Sequence, residues 1–207
     1  MEVLKTRLII IFIGLALSGV ASGQNQQVLV DAFSSSYAKE TAGDYKGGLD
    51  VLKSVYNKDN YELNLRLGWL SYLAGMLDES QSYYQRAVSL MPMGIEARFG
   101  LIYPLSSMGN WTQVIRIYEE ILRIDPMNSI ANFRFGLVYY GRNEFLKAKP
   151  LFEKVVNLYP FDYDGLNMMA WTHLKLGNSR EAKILFQKSL LNKPGDASAL
   201  EGLSLIK

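Results

Sequence analysis

Few side chains in this sequence could do chemistry. There is no cysteine among the 207 residues and a single histidine, His173. That removes disulfides, thiol nucleophiles and cysteine-ligated zinc together, and leaves little for a metal site or a proton shuttle. The sequence contains no HExxH, no phosphate-binding loop, no dinucleotide glycine pattern and no serine nucleophile elbow. Glu119 and Glu120 are adjacent, so on a helix they point apart, and a solvated face is expected rather than an acid/base pair. Asp162 and Asp164 stand in a turn, where acidic residues cap helices. No catalytic residue, metal site or cofactor is therefore expected, and the chain is not read as an enzyme. Lys plus Arg number 22 against 20 Asp plus Glu. With no basic excess to hold a phosphate backbone, nucleic acid is not expected as a partner.

Large apolar side chains at helical spacing are the stronger signal. Leu65, Trp69 and Tyr72 stand four and then three residues apart and so share one side of a helix. Phe99, Tyr103 and Ser106 repeat the set, as do Phe133, Leu137 and Tyr140, and then Asn167, Trp171 and Leu174. Phe33, Tyr37 and Glu40 give a fainter copy near the start. Such a stripe is often plain core. Here a neighbouring stripe, Leu67, Gly68, Ser71 and their equivalents, already has that role. A second aromatic face is needed only if something covers it.

The copies recur at a step of 34, which organises the chain. Prolines stand at 92, 126, 160 and 194, and Gly75, Gly109, Asn143 and Gly177 keep the same interval. Tyr84, Tyr118, Phe152 and Phe186 keep it too. Coincident columns at one spacing define a tandem array. Within a unit, 62–74 is a mostly apolar helix closed by Gly75, and 78–91 is an amphipathic helix closed by Pro92. Asp78, Thr112 and Ser179 stand where the second helices start and are expected to cap them. That use also accounts for the single glycosylation sequon, Asn110-Trp111-Thr112. Pro104 falls inside a first helix and is expected to kink it.

These residues resemble the tetratricopeptide repeat. Leu67-Gly68 with Gly75, Tyr84, Ala87 and Pro92 carries its pattern, as do Phe135-Gly136 with Tyr139, Phe145, Ala148, Phe152 and Pro160. Gly109-Asn110-Trp111 and the pair Ala182 and Phe186 carry it in other units. The units run 61–94, 95–128, 129–162 and 163–196, after a degenerate unit 29–60 in which Leu52 replaces the aromatic and Asn60 the proline. Residues 197–207 restart a first helix as a closing element. The resemblance implies an all-α fold, a right-handed α-α superhelix in which each helix pair packs on its neighbours. It places His173 between helices, as a core histidine. It also implies that the stripe lines a concave groove where protein ligands lie: Phe33, Tyr37, Leu65, Trp69, Tyr72, Phe99, Tyr103, Phe133, Leu137, Tyr140, Trp171 and Leu174. Family members that clasp an acidic chain end do so with Lys, Arg and Asn. These places are apolar here, so an apolar or helical ligand fits better.

The first 23 residues read as an address. Lys5 and Arg7 precede an apolar run from Leu8 to Leu17, and small residues follow to Gly23. That is the pattern of a cleaved signal peptide, with a short tail 24–28 after it. The run is too short to span a bilayer, and no cysteine follows it for a lipid anchor. Export to a periplasm or extracellular space, most simply a bacterial envelope, is expected. Three roles stay open: a scaffold binding another protein through the groove, a self-associating structural protein whose groove takes another copy or its own tail, and a groove for glycan or lipid.

Overall fold

The computed structural model describes residues 26–206, so the expected signal segment 1–23 lies outside the described residues. The chain divides into two compact units, Met1–Gly109 and Asn110–Lys207. The described part of the first holds α1 (26–41), α2 (Tyr45–Ser54), α3 (Tyr61–Leu73), α4 (Leu77–Leu90) and α5 (Glu96–Ser107). The second holds α6 (Trp111–Ile124), α7 (Ser129–Gly141), α8 (Phe145–Leu158), α9 (Tyr163–Lys175), α10 (Ser179–Asn192) and α11 (Ala197–Ser204). No strand occurs among the described residues. Residues 26–28, expected in a tail, belong to α1, where Gln27 Nε2 donates to Asp31 Oδ1 one turn on at 2.9 Å.

Three-residue turns fold α3 onto α4, α7 onto α8 and α9 onto α10. Each turn needs one residue in the left-handed region. Gly75, Asn143 and Gly177 take it there at φ 75°, 59° and 79°, and Gly109 takes it between α5 and α6 at 70°, which explains why that column admits only Gly and Asn. The caps differ from expectation. Asp78, Thr112 and Ser179 lie inside the first turn, because α4, α6 and α10 begin at Leu77, Trp111 and Ser179. Asn110 caps α6, accepting from Gln113 N at 3.3 Å. Side-chain capping is more regular at the first helices of the pairs. Asn60, Asn128, Asp162 and Asp196 accept from the amides of Leu63, Ala131, Gly165 and Ala199 at 2.7 to 3.0 Å. A cap of this kind contributes about 1 kcal/mol. α5 runs continuously through the buried Pro104.

The core is made where the two helices of a pair approach. Tyr84 on α4 leaves no room for a Cβ on α3 or α5: one built on Gly68 would stand 3.0 Å from its ring, and one on Gly100 2.1 Å. Phe152 fills the same role against Gly136, where the separation would be 2.6 Å. The expected core column is closed, with Leu67, Leu101, Phe135 and Met169 between 0% and 9% exposed. Leu52, at the aromatic column of the degenerate unit, is fully buried in the N-terminal core with Leu49, Leu63 and Leu70.

Candidate functional site

None of the twelve expected groove residues is fully buried. On α3, α5, α7 and α9 they share the helix with the closed core residues Leu67, Leu101, Phe135 and Met169, so these helices turn a second large apolar face away from the core. Tyr37 and Leu137 are exposed, at 54% and 39%, and the other ten are partly covered.

In the N-terminal unit the face is a continuous aromatic patch. Trp69 lies 5.8 Å from Tyr72 and 5.7 Å from Tyr103, centroid to centroid, and Tyr72 lies 5.4 Å from Tyr103. Helical spacing places Trp69 and Tyr72 one turn apart on α3, and the 34-residue step brings Tyr103 of α5 beside them. Offset and edge-on contacts of this kind add about 1 kcal/mol per pair beyond area burial. A polar brace lies alongside. Trp69 Nε1 donates to Glu40 Oε1 at 2.8 Å, and Arg66 donates to the other Glu40 oxygen and, at 3.0 Å, to Ser36 Oγ. The Tyr37 ring covers the Arg66 guanidinium at 3.8 Å. Tyr37, Glu40, Thr41, Tyr45, Arg66, Trp69 and Leu73 line a cleft of about 550 Å³. Burial pushes the Glu40 carboxyl up, but hydrogen bonds from Trp69 and Arg66 and the Arg66 charge outweigh it and hold the group below its ordinary range.

Arg66 is absent from the expected site. It falls one residue beyond Leu65 in the stripe, so helical spacing alone gives no reason to place it in the cleft. Its cation is already engaged by Glu40, so the cleft floor is a closed ion pair rather than a free positive charge. Phe33 lies nearer the start of α1, lining a separate cleft of about 510 Å³ with Leu29, Val30 and Asn60. Leu65 and Phe99 are partly covered on α3 and α5.

In the C-terminal unit the stripe is divided. Phe133 packs edge-on against core Phe152 at 5.8 Å. With Ile130, Arg134, Tyr159, Asp162 and Asp164 it also lines a cleft of about 470 Å³. Tyr140 meets Phe145 at 5.2 Å, and burial pushes its phenol up. Trp171 stands edge-on to Phe186 at 5.3 Å, and its indole donates to Ser198 Oγ of α11 at 2.9 Å. Leu174 is partly buried beside it.

The titratable candidates have structural positions. His173 is 6% exposed, and burial, with the nearby Lys149 charge, holds its imidazole below the usual value. Asp162 caps α9, and Glu120 accepts from Arg116 Nε at 3.2 Å. Among the described residues no group of three or more His, Asp or Glu could hold a metal ion.

Comparison with known proteins agrees with this architecture. Residues 151–184 match the family model of the tetratricopeptide repeat, a span of one 34-residue step. A tetratricopeptide repeat protein from Parabacteroides merdae is similar in structure, with TM-score 0.73 and 22% identity over 86% of this chain and 72% of that one. MamA is similar with TM-score 0.69 and 21% identity over 81% of this chain and 93% of its own. MamA from Desulfovibrio magneticus RS-1 is similar with TM-score 0.68 and 16% identity over 82% and 97%. Residues 151–184 thus match a tetratricopeptide repeat, and the chain shares with these structures an all-α fold of tandem helix pairs.

Proposed function

We propose that this chain is an exported scaffold that binds another protein through its aromatic face, within a cell-envelope assembly. One observation carries the binding reading. On the same helices, the columns of Leu67, Leu101, Phe135 and Met169 are closed, while the columns of Trp69, Tyr72 and Tyr103 present large rings that no other helix of their unit fully covers. Rings braced in advance lose little entropy on contact, and aromatic anchors of this kind dominate interfaces. The ligand they suit is apolar or helical, because Glu40 already neutralises the Arg66 guanidinium in the cleft. Export rests on the N-terminal pattern of charge, short apolar run and small residues. No described helix is long and apolar enough to cross a membrane.

The double variant Trp69→Ala and Tyr103→Ala tests the groove. It should lose partners captured by crosslinking from envelope fractions while keeping its helical content. Unfolding of the double variant would assign the rings to the core, and undiminished capture would place binding elsewhere. Intact mass of the envelope form tests export, with Gln24 as the expected first residue.

A further inference from the structure

The cleft of about 550 Å³ between α1, α2 and α3 contains a polar group that the fold leaves unused. Arg66 on α3 is 6% exposed. Its Nε donates to Ser36 Oγ at 3.0 Å, and its Nη1 donates to Glu40 Oε2. Its Nη2 is buried and has no hydrogen-bond partner among the described residues. A buried donor without an acceptor is costly, the more so on a charged group, so its presence in a fold calls for an explanation. The Tyr37 ring that covers the guanidinium is itself 54% exposed, so a swing of that side chain opens Nη2 to the cleft.

An acceptor stands beside this donor. Glu40 takes one hydrogen bond on each oxygen, from Trp69 Nε1 at 2.8 Å and from Arg66, which leaves a lone pair on each. Its side chain is 26% exposed and so within reach of a ligand. A charged ligand gains little here, because Glu40 and Arg66 are the only charged residues lining the cleft and they cancel. A wholly apolar ligand would seal Nη2 in without an acceptor. A peptide bond has one donor and one acceptor, but in the trans form they point to opposite sides, so one wall cannot take both. Adjacent hydroxyls of a sugar ring stand side by side. One can donate to the carboxylate while its neighbour accepts from the guanidinium. The Tyr37 and Trp69 rings supply flat apolar walls for the C–H face of such a ring, and Thr41 and Tyr45 add hydroxyls to the lining.

We propose that this cleft binds a neutral sugar residue, with two adjacent hydroxyls shared between Glu40 and Arg66 Nη2 and one ring face against Tyr37 and Trp69. The volume falls within the range of small-ligand sites, about 300–1,000 Å³. The polar groups are held in place before the ligand arrives, by Ser36 and by the Trp69 indole, so little ordering is needed on binding. The site goes beyond the protein-binding reading and needs only α1, α2 and α3. Trp69 belongs to both surfaces, so the test rests on Tyr37, Glu40 and the sugar itself.

The test titrates the full chain with the methyl glycosides of glucose, galactose, mannose and N-acetylglucosamine and with their deoxy analogues, followed by tryptophan emission and calorimetry. At least one glycoside should bind saturably with a Kd below about 5 mM. Deleting either of two adjacent hydroxyls from that sugar should weaken binding at least about tenfold, because a site built to bond a hydroxyl rejects the analogue that lacks it. That comparison does not depend on the folding of any protein variant. Tyr37→Ala and Glu40→Gln should each weaken binding at least about tenfold, whereas Tyr37→Phe, which keeps the ring, should bind as the unaltered chain does. Leu146→Glu, at an exposed leucine of α8, should change nothing. No saturation by any of these glycosides up to about 50 mM would overturn the proposal. So would equal affinity for every deoxy analogue, or binding indifferent to Tyr37→Ala or to Glu40→Gln. Binding of N-acetyltyrosine amide without binding of any glycoside would overturn it too, because the occupant would then be a polypeptide. Loss of envelope partners from the Trp69 and Tyr103 variant bears on the protein-binding face, and either result can fail while the other stands.

Discussion

Trp69 and Trp171 occupy the same column of the repeat, yet the two units hold them differently. In the N-terminal unit Trp69 joins Tyr72 and Tyr103 in one patch, and its indole is tied to a carboxylate that also neutralises a buried guanidinium. In the C-terminal unit the rings turn inward. Tyr118 stacks on Phe135 at 5.3 Å, Phe135 meets Tyr139 at 4.5 Å, and Phe133 contacts Phe152. Trp171 is held there by a hydroxyl and an edge contact. One repeat pattern can thus place aromatic rings on a surface or in a core, depending on which columns receive them. The first unit has the patch suited to a ligand, and the second has the denser aromatic interior.

The largest test of that contrast is Phe152→Ala. Its ring is fully buried between Gly136, Ala148 and Met169, so truncation should cost about 3–5 kcal/mol in denaturant titration. Tyr56→Ala should cost about 1–2 kcal/mol, through an edge contact with Tyr83 and the hydroxyl that satisfies buried Asn64. Equal losses would contradict a quasi-linear stack, in which each unit touches only its neighbours.

Next is the ion pair. Glu40→Ala leaves Arg66, whose side chain is 6% exposed, without its anion, and should cost about 2–3 kcal/mol. A loss below about 0.5 kcal/mol would show the brace to be ornamental rather than structural. Ser198→Ala is the counterpart in the other unit. It removes the acceptor for Trp171 Nε1 and for Asn167 Nδ2, and should cost about 1–2 kcal/mol. Tryptophan emission should report a wetter indole in both variants, and an unchanged spectrum would deny the bracing role.

The smallest effects are in pH. The Glu40 carboxyl has a lowered pKa in the fold, so its stabilisation is present above the ordinary glutamate value of 4.5 and is lost as pH falls through the lowered one. The lowered pKa of His173 means that the unfolded chain binds the proton first as pH falls. Its contribution is therefore present above the ordinary 6.5 and is lost as pH falls from there through the folded value. Melting temperatures between pH 7 and 3 should decline in two stages. His173→Gln should flatten the first stage and Glu40→Gln the second. A single decline unaffected by both variants would mean that neither group is coupled to folding.

The sequence by itself determined the period, the helix pairs, the left-handed turn column and the closed core column. Each follows from short-range rules: 3.6 residues per turn, proline and glycine at helix ends, and apolar spacing. It also marked which residues lie beside the core without being closed in, because a stripe of rings next to a complete core stripe has nowhere else to go. The second-helix caps were misplaced at Asp78, Thr112 and Ser179, because a short polar residue reads alike just before and just inside a helix. Only the tertiary structure brought Arg66 against Glu40 and Tyr37. Those residues are separated by 26 and 29 positions and meet through the stacking of α1 on α3, which no local spacing encodes. The exposure of Leu200 and Ser204 on α11 is likewise a tertiary property. Sequence shows that Leu200 and Ser204 continue the repeat, but their exposure depends on whether a second helix lies over them, and packing alone decides that.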